Sequence, residues 1–297
     1  MSQYNRPVVT IALCVKNAGS TIKEAMSSVI NQDYPHEMME LIIVDGCSKD
    51  NTMQILRGAL SASDLSSRVF YEGKGLGYAR QLAVENAGGS YIVWVDGDIV
   101  LGKDYVRKLV DFMEQNPKVG MTSGRFCLSH TAGVVATLEN IDWVVGDYQK
   151  RQGSARDPSR ICCAGSVFRV EALRQAGGFD EQIKGAGEDM DVGYRMTKCG
   201  WLLRFGIDAR LQHRSKETWK SVWDENFWYG YGGHYVLHKH EANLPVLSLV
   251  EAIRRFLIAY PITRRKIVFL LPFAYLFGRT AWFSGFVKAH IQGYAKA

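Results

Sequence analysis

Asp96-Gly97-Asp98 directly follows the apolar run Tyr-Ile-Val-Trp-Val. Two carboxylates two residues apart, with a glycine between them, can face one small volume. Hard oxygen donors of this kind hold Mg²⁺ or Mn²⁺, and a diphosphate completes the shell. Such a metal neutralises the charge that builds on a leaving diphosphate. Alone, the triplet also reads as a turn, because Asp and Gly favour turns. Asp45 closes a similar run, Leu41-Ile42-Ile43-Val44, and leads into the polar turn Gly46-Cys47-Ser48-Lys49-Asp50. A second acidic cluster, Gly187-Glu188-Asp189-Met190-Asp191, comes later, and His213 follows it in Leu-Gln-His-Arg. That cluster alone also fits a solvated helix start, where acids are favoured.

The elements that position these acids alternate. Val8 to Val15 is a β-branched apolar run, a buried strand. Ile22, Ala25, Met26, Val29 and Ile30 then recur on one helical face, with Thr21 and Glu24 at capping-box spacing. Leu41 to Val44 reads as a strand, Asn51 to Leu60 as a helix and Arg68 to Tyr71 as a strand. The Gly73 to Gly77 loop leads to a helix over Ala79 to Asn86. Tyr91 to Val95 is a strand, Tyr105 to Glu114 a helix and Val119 to Thr122 a strand. This alternation predicts a Rossmann-like α/β fold, a mainly parallel sheet with helices on both faces. In such sheets ligands lie outside the carboxyl ends of the strands, and Asp45, Asp96 and Asp98 all sit at such ends.

The ordered set of motifs resembles family 2 glycosyltransferases, which have the GT-A fold. The matching pieces are Ile11 to Asn17, Val44 to Thr52, Ala79-Arg80 before Gly88-Gly89-Ser90-Tyr91, and Val95-Asp96-Gly97-Asp98. Cys163-Ala164-Gly165-Ser166, Gly177-Gly178-Phe179-Asp180, and Glu188-Asp189-Met190-Asp191 before Gly193-Tyr194-Arg195 complete the set, which covers about residues 7 to 235. The resemblance implies that Asp45 contacts the nucleobase near Val15, and that Arg80 lies beside the nucleotide. It implies that Asp98 and Asp96 hold the metal and the ribose-diphosphate, with His213 completing the metal site. Asp189 is then the general base on the acceptor hydroxyl. The cofactor is Mn²⁺ or Mg²⁺, and the donor substrate is a nucleotide-diphosphate sugar. Gly46 departs from the family pattern, which often has a second acid there, so the choice between uridine and guanosine donors stays open.

The rest of the chain bounds this reading. Its 297 residues are 47% hydrophobic and 22% charged with a net charge of +6, ordinary globular values. Cys14, Cys47, Cys127, Cys162, Cys163 and Cys199 include no C-x-x-C pair, so reduced thiols in an intracellular protein are expected. The opening Met-Ser-Gln-Tyr-Asn-Arg has no apolar h-region, which predicts no signal peptide. Gly73, Gly75 and Gly77 miss the dinucleotide-loop spacing and follow the third strand. No nucleic-acid-binding signature stands out. His234 and His238 have i, i+4 spacing but no third ligand evident nearby, which predicts a surface pair. The aromatic stretch from Trp219 to Tyr231 fits either core packing or a wall facing sugar or lipid.

Leu249, Val250, Ile253, Phe256 and Leu257 share a helical face. Arg254, Arg255, Arg264, Arg265 and Lys266 cluster beside it, before the uncharged run Ile267 to Phe277. With Pro272 interrupting that run and Arg279 closing it, the segment is shorter than the ~20 residues a span needs. An interfacial segment is therefore expected, with basic residues on anionic headgroups, at the cytoplasmic face of a membrane as a peripheral or monotopic protein. Three parts are predicted: a nucleotide-sugar-binding half (1–125), an acceptor-binding half (126–240) and a C-terminal helical segment (241–297). The expected activity is inverting glycosyl transfer to a glycan or lipid-linked acceptor hydroxyl. Alternatives are a polyprenyl-phosphate sugar synthase and a non-catalytic nucleotide-sugar-binding module. A nucleotidyltransferase is disfavoured, because Lys16-Asn17-Ala18-Gly19 stands where its Gly- and Arg-rich loop belongs.

Overall fold

The computed structural model describes residues 8–129, 133–154, 157, 161–183, 185–244 and 248–294. The opening residues read for a signal peptide lie outside these. In chain order the elements begin with β1 (Val9–Val15), α1 (Ile22–Ile30), β2 (Met39–Asp45), α2 (Thr52–Ser61) and β3 (Ser66–Tyr71). Then come α3 (Leu76–Asn86), β4 (Tyr91–Trp94), β5 (Ile99–Leu101), α4 (Tyr105–Gln115), β6 (Val119–Ser123) and β7 (Arg125–Phe126). The second half holds α5 (Val134–Arg151), β8 (Ser166–Arg169), α6 (Val170–Gln175), α7 (Glu188–Lys198), β9 (Leu202–Arg204) and β10 (Arg210–His213). Three long helices end the chain: α8 (Trp219–Lys239), α9 (Leu249–Thr263) and α10 (Leu271–Gln292).

The main sheet has the order β3-β2-β1-β4-β8-β6-β9. Its strands are parallel except for β8, which runs antiparallel to both neighbours. β1 lies inside the sheet, between β2 and β4, and all seven of its residues are buried. Val9, Ile11 and Leu13 face α1, α2 and α4, while Ala12 and Cys14 face α3, α6 and α7. Ile22, Met26 and Val29 of α1 are fully buried, each worth about 1.5–3 kcal/mol of apolar transfer. The register pairs Val15 with Asp45 and Ala12 with Trp94. Asp45 and Asp96 therefore emerge on the same edge, at the carboxyl ends of β2 and β4, the two strands that flank β1. A small sheet, β5-β10-β7, lies beyond that edge and carries His213 at its end.

Three local expectations are corrected. Thr21 and Glu24 form no capping box: Thr21 makes no side-chain cap, and Glu24 instead pairs with Arg214 across the cleft mouth. The helix expected from Ala79 starts at Leu76, after Gly75 turns the chain at φ 116°. Pro272 does not interrupt the C-terminal run. It lies in the first turn of α10, where its missing N–H has no intrahelical role.

The expectation of a segment too short to span is also corrected: the helical run continues through Arg279, and Lys266–Gln292 is long and apolar enough to cross a membrane by length and composition. α10 packs along α8, and glycines let the two backbones touch. A Cβ on Gly230 would lie 1.8 Å from the Trp282 carbonyl oxygen, and one on Gly285 would lie 1.9 Å from that of Phe227. α9 packs on α5 through Phe256, Ala259 and Ile141. Its outer face stays open, with Leu249, Val250, Ile253 and Leu257 all exposed.

Candidate active site

The strand ends open on a cavity of about 1370 Å³. Val15, Arg80, Asp96, Asp98, Asp189 and His213 all line it, so the structure brings six of the seven expected site residues together. The seventh, Asp45, lies behind the wall next to Val15. Its side chain is buried; one carboxylate oxygen accepts the Ser48 N–H at 3.0 Å, and the other has no partner among the described residues. At Gly46 a Cβ would sit 3.2 Å from a Glu72 carboxylate oxygen. Glu72 therefore holds a carboxylate next to the place where the family pattern often has its second acid.

Arg80 rises from α3 and is 4% exposed. Its Nη2 is 3.2 Å from Asp96 and its Nε 2.9 Å from Glu188, while its guanidinium lies 5.0 Å from the Trp94 ring centre. Nη1 is buried without a partner among the described residues. One guanidinium thus ties the strand-end pair to the later acidic cluster. Burial, followed by the neighbouring Asp189 charge, pushes the Glu188 carboxyl above its ordinary value, and Arg80 opposes this. Burial and the Asp98 charge likewise raise Asp96 against Arg80.

Asp98 behaves oppositely. Burial pushes it up, but the His213 hydrogen bond, the His213 charge and Lys216 outweigh burial and leave it at about 2. His213 Nε2 is 3.4 Å and Lys216 Nζ 3.3 Å from the same carboxylate oxygen. Burial lowers His213, but Asp98, with Glu139 and Glu225 behind it, holds the imidazole above its ordinary value. The His213 ring packs on Trp143 at 4.5 Å, and its Nδ1 has no partner among the described residues.

Asp96, Asp98 and His213 line the same cavity, and the Asp98 oxygen and His213 nitrogen are close to the separation of two ligands on one ion. This donor set suits a divalent cation that accepts oxygen and one nitrogen. Sequence reasoning missed Lys216, Glu139 and Glu225 around it. Lys216 is 3.3 Å from Glu225, and burial with the Glu225 charge lifts Glu139 to about 7.

Asp189 is the second residue of α7, after Gly187, whose φ of 104° turns the chain into the cleft. One of its oxygens accepts the Met190 N–H at 2.7 Å, and the other lies 3.4 Å from the Cys163 N–H. Asp191, from the same cluster, points away from the cleft and pairs with Arg195, Lys239 and His240. Burial holds the Cys162 thiol at about 11 and raises Cys163 still further, so both are neutral thiols. All six cysteines are free.

A family model described as glycosyl transferase family 2 matches residues 10–177. The poly-beta-1,6-N-acetyl-D-glucosamine synthase of Staphylococcus epidermidis is 22% identical over 231 residues, covering 77% of this chain and 55% of that protein. The protein of the same name from Staphylococcus aureus (strain COL) matches with the same identity and coverage. The chain thus spans about half the length of the curated relatives it matches. Among solved structures, the mannosyltransferase PcManGT from Pyrobaculum calidifontis, in complex with GDP-Man and Mn²⁺, superposes with TM-score 0.63 at 18% identity, over 99% of this chain and 77% of that one. Residues 1–349 of TarS from S. aureus, in complex with UDP-GlcNAc, give TM-score 0.53 at 14% identity, over 96% of this chain and 92% of that one. The fold is theirs, and the family model spans more than half of the sequence: the chain belongs to glycosyl transferase family 2.

Proposed function

We propose that the chain is an inverting, metal-dependent glycosyltransferase that moves a sugar from a nucleotide-diphosphate donor to an acceptor hydroxyl. The observation that carries this reading is the Arg80 bridge. It ties Asp96, beside Asp98, to Glu188, beside Asp189, so that donor-side and acceptor-side acids open on one cavity. In this reading Val15 and Asp45 form the nucleobase end. Asp45 reaches the base once the wall beside Val15 opens, its unpartnered oxygen then accepting a base N–H, and the unpartnered Nη1 of Arg80 serves the nucleotide. Mn²⁺ or Mg²⁺, held by Asp96, Asp98 and His213, would neutralise charge developing on the leaving diphosphate.

Asp189 removes the proton of the acceptor hydroxyl as its oxygen bonds to the anomeric carbon. The bond from that carbon to the diphosphate breaks, and the proton stays on the carboxylate. General-base help of this kind is worth ~10²–10⁴-fold. A single displacement inverts the anomeric centre, and the neutral thiols of Cys162 and Cys163 offer no competing nucleophile.

Residues 1–125 serve the donor in this division, residues 126–240 the acceptor and residues 241–297 the membrane. A synthase of poly-N-acetylglucosamine among the relatives supports a glycan or lipid-linked acceptor for polysaccharide synthesis. Bound GDP-Man and UDP-GlcNAc in the structural neighbours support a GDP- or UDP-sugar donor. The open apolar faces of α9 and α10, together with Arg254, Arg264, Arg265 and Lys266, support a peripheral or monotopic place at the cytoplasmic surface of a membrane. Arg254 and Arg255 both pair with Glu251, and Arg255 also with Asp142; Arg254 stays exposed, so only the largely buried Arg255 leaves that basic set.

The test is release of nucleoside diphosphate from UDP-, GDP- and dTDP-sugars, with Mn²⁺, Mg²⁺ or chelator, for the unaltered chain and Asp98→Ala. Slow hydrolysis of one donor that needs both metal and Asp98 is expected. A folded chain that neither binds nor turns over any donor in a metal-dependent way would refute the reading. Co-sedimentation with anionic liposomes tests the membrane surface, and a chain that stays wholly soluble would overturn that part.

A further inference from the structure

Outside the cleft, α8 and α10 bring three histidines together. His234 and His238 stand one turn apart on α8, and His290 reaches them from the last turn of α10. Sequence spacing gives the first two and no third. The third comes from the helix crossing, so the expected surface pair is corrected to a cluster.

His234 Nε2 lies 3.2 Å from His290 Nδ1. The Nδ1–H of His238 donates to the His234 carbonyl oxygen at 2.7 Å, which fixes the tautomer and leaves Nε2 as a free lone pair. One ring nitrogen from each residue lies within 4.8 Å of the other two. With metal–nitrogen bonds of ~2.0–2.1 Å, tetrahedral ligand atoms sit about 3.3 Å apart. His234 and His290 already have that separation, and the exposed His238 ring, within 4.8 Å of both, needs a shift of at most about 1.5 Å to close the rest.

We propose that His234, His238 and His290 form a second metal site, for Zn²⁺ or a similar borderline transition cation, that staples α10 to α8. Three imidazoles suit Zn²⁺, Cu²⁺ or Ni²⁺, whereas the acid-rich cleft suits Mn²⁺ or Mg²⁺, so the two sites select different metals. A fourth position stays open to water, as three protein ligands allow. The staple closes the free end of the pair: α10 meets α8 at Gly230 and Gly285, and the histidines lie at the C-terminal ends of both helices. Zn²⁺ here resists separation of the apolar C-terminal helix from the helix that packs behind the acidic turn.

The test uses the full chain without an affinity tag, freed of metal with chelator and titrated with Zn²⁺ against a chromophoric chelator. One equivalent is expected to bind to the unaltered chain and equally to Asp98→Ala, which lacks the cleft carboxylate. His238→Ala and His290→Ala should each weaken that equivalent about tenfold or more and abolish the zinc-induced rise in melting temperature. If His290→Ala does not fold, the exposed His238→Ala and His238→Gln pose the same question. Equal zinc affinity with and without the histidines would overturn the proposal, as would loss of the equivalent in Asp98→Ala or no binding at micromolar zinc.

Discussion

Replacing Asp98 by Asn separates two accounts of the strand-end acids. If Asp96 and Asp98 mainly repel each other, removing one charge stabilises the metal-free chain. The structure gives the opposite sign, because His213 Nε2 and Lys216 Nζ sit 3.4 and 3.3 Å from Asp98 and hold its pKa at about 2 against an ordinary 3.8. That difference corresponds to at most about 2 kcal/mol in favour of the ionised folded state. A depressed carboxylate contributes above its unfolded pKa of 3.8 and loses the contribution as pH falls through about 2. At pH 7 the metal-free Asp98→Asn chain should therefore be less stable by up to about 2 kcal/mol, and the gap should close only in strong acid. Mn²⁺ should then raise the melting temperature of the unaltered chain by mass action and leave the variant unmoved. The assay is melting in chelator and in a Mn²⁺ series, at pH 5 and pH 7. A metal-free variant more stable than its parent, or one with the same Mn²⁺-induced rise, would refute the reasoning.

Further outcomes follow from other parts of the molecule. Asp189→Asn should keep donor binding and metal dependence while lowering transfer to acceptor ~10²–10⁴-fold; an unchanged transfer rate, measured by product formation, would remove Asp189 from the mechanism. Asp147, 4% exposed and lifted mainly by burial to about 6 from 3.8, binds its proton more tightly in the folded chain. Its relative contribution is complete below pH 3.8 and is lost as pH rises through about 6. Asp147→Asn should thus stabilise by up to about 3 kcal/mol at pH 8 and have little effect near pH 4, as read from melting at both pH values. Gly230→Ala gains helix propensity but drives a methyl into the Trp282 carbonyl, so a net loss of roughly 1–3 kcal/mol is expected; a stabilised variant would show that the helices part without cost.

Much of the donor half was legible because each acid directly follows an apolar strand. The runs ending at Val15, Asp45 and Trp94 can only be central strands, so their exits mark the ligand edge before any coordinates exist. The capping box failed because the same Thr and Glu spacing also serves a long-range partner: Glu24 takes Arg214, 190 residues away. Glu139, Lys216 and Glu225 were not legible, since they come from α5, the loop after β10, and α8, and share no spacing. Only the fold makes them neighbours of Asp98. His290 was hidden for the same reason. Pro272 misled because a proline in an apolar run reads as a break, and only the helix start beside it shows that it is an N-terminal residue.

The aromatic, glycine-rich stretch of α8 admitted two readings, and its faces divide them. Trp219 and Trp223 pack on Phe277 of α10 at 5.1 and 5.3 Å, while Tyr229 and Gly233 line the cleft. Gly232 faces a third way: a Cβ there would lie 1.7 Å from the Ala186 carbonyl oxygen, so backbone rests on backbone at the turn that precedes Glu188. One helix therefore touches the apolar C-terminal helix, the cavity and the support of the acidic turn. Each contact needs a different residue type on a different face, which is why no single period describes the segment. Any larger residue at Gly232 must push α8 from Ala186 or shift the turn that aims Asp189. The second choice moves a carboxylate whose use depends on hydrogen-bond reach, and a displacement of about 1 Å there suffices to cost ~10²-fold in rate. Gly232→Ala is accordingly expected to lower transfer far more than it lowers donor binding, and equal losses in both would mean that the turn is held by something other than α8.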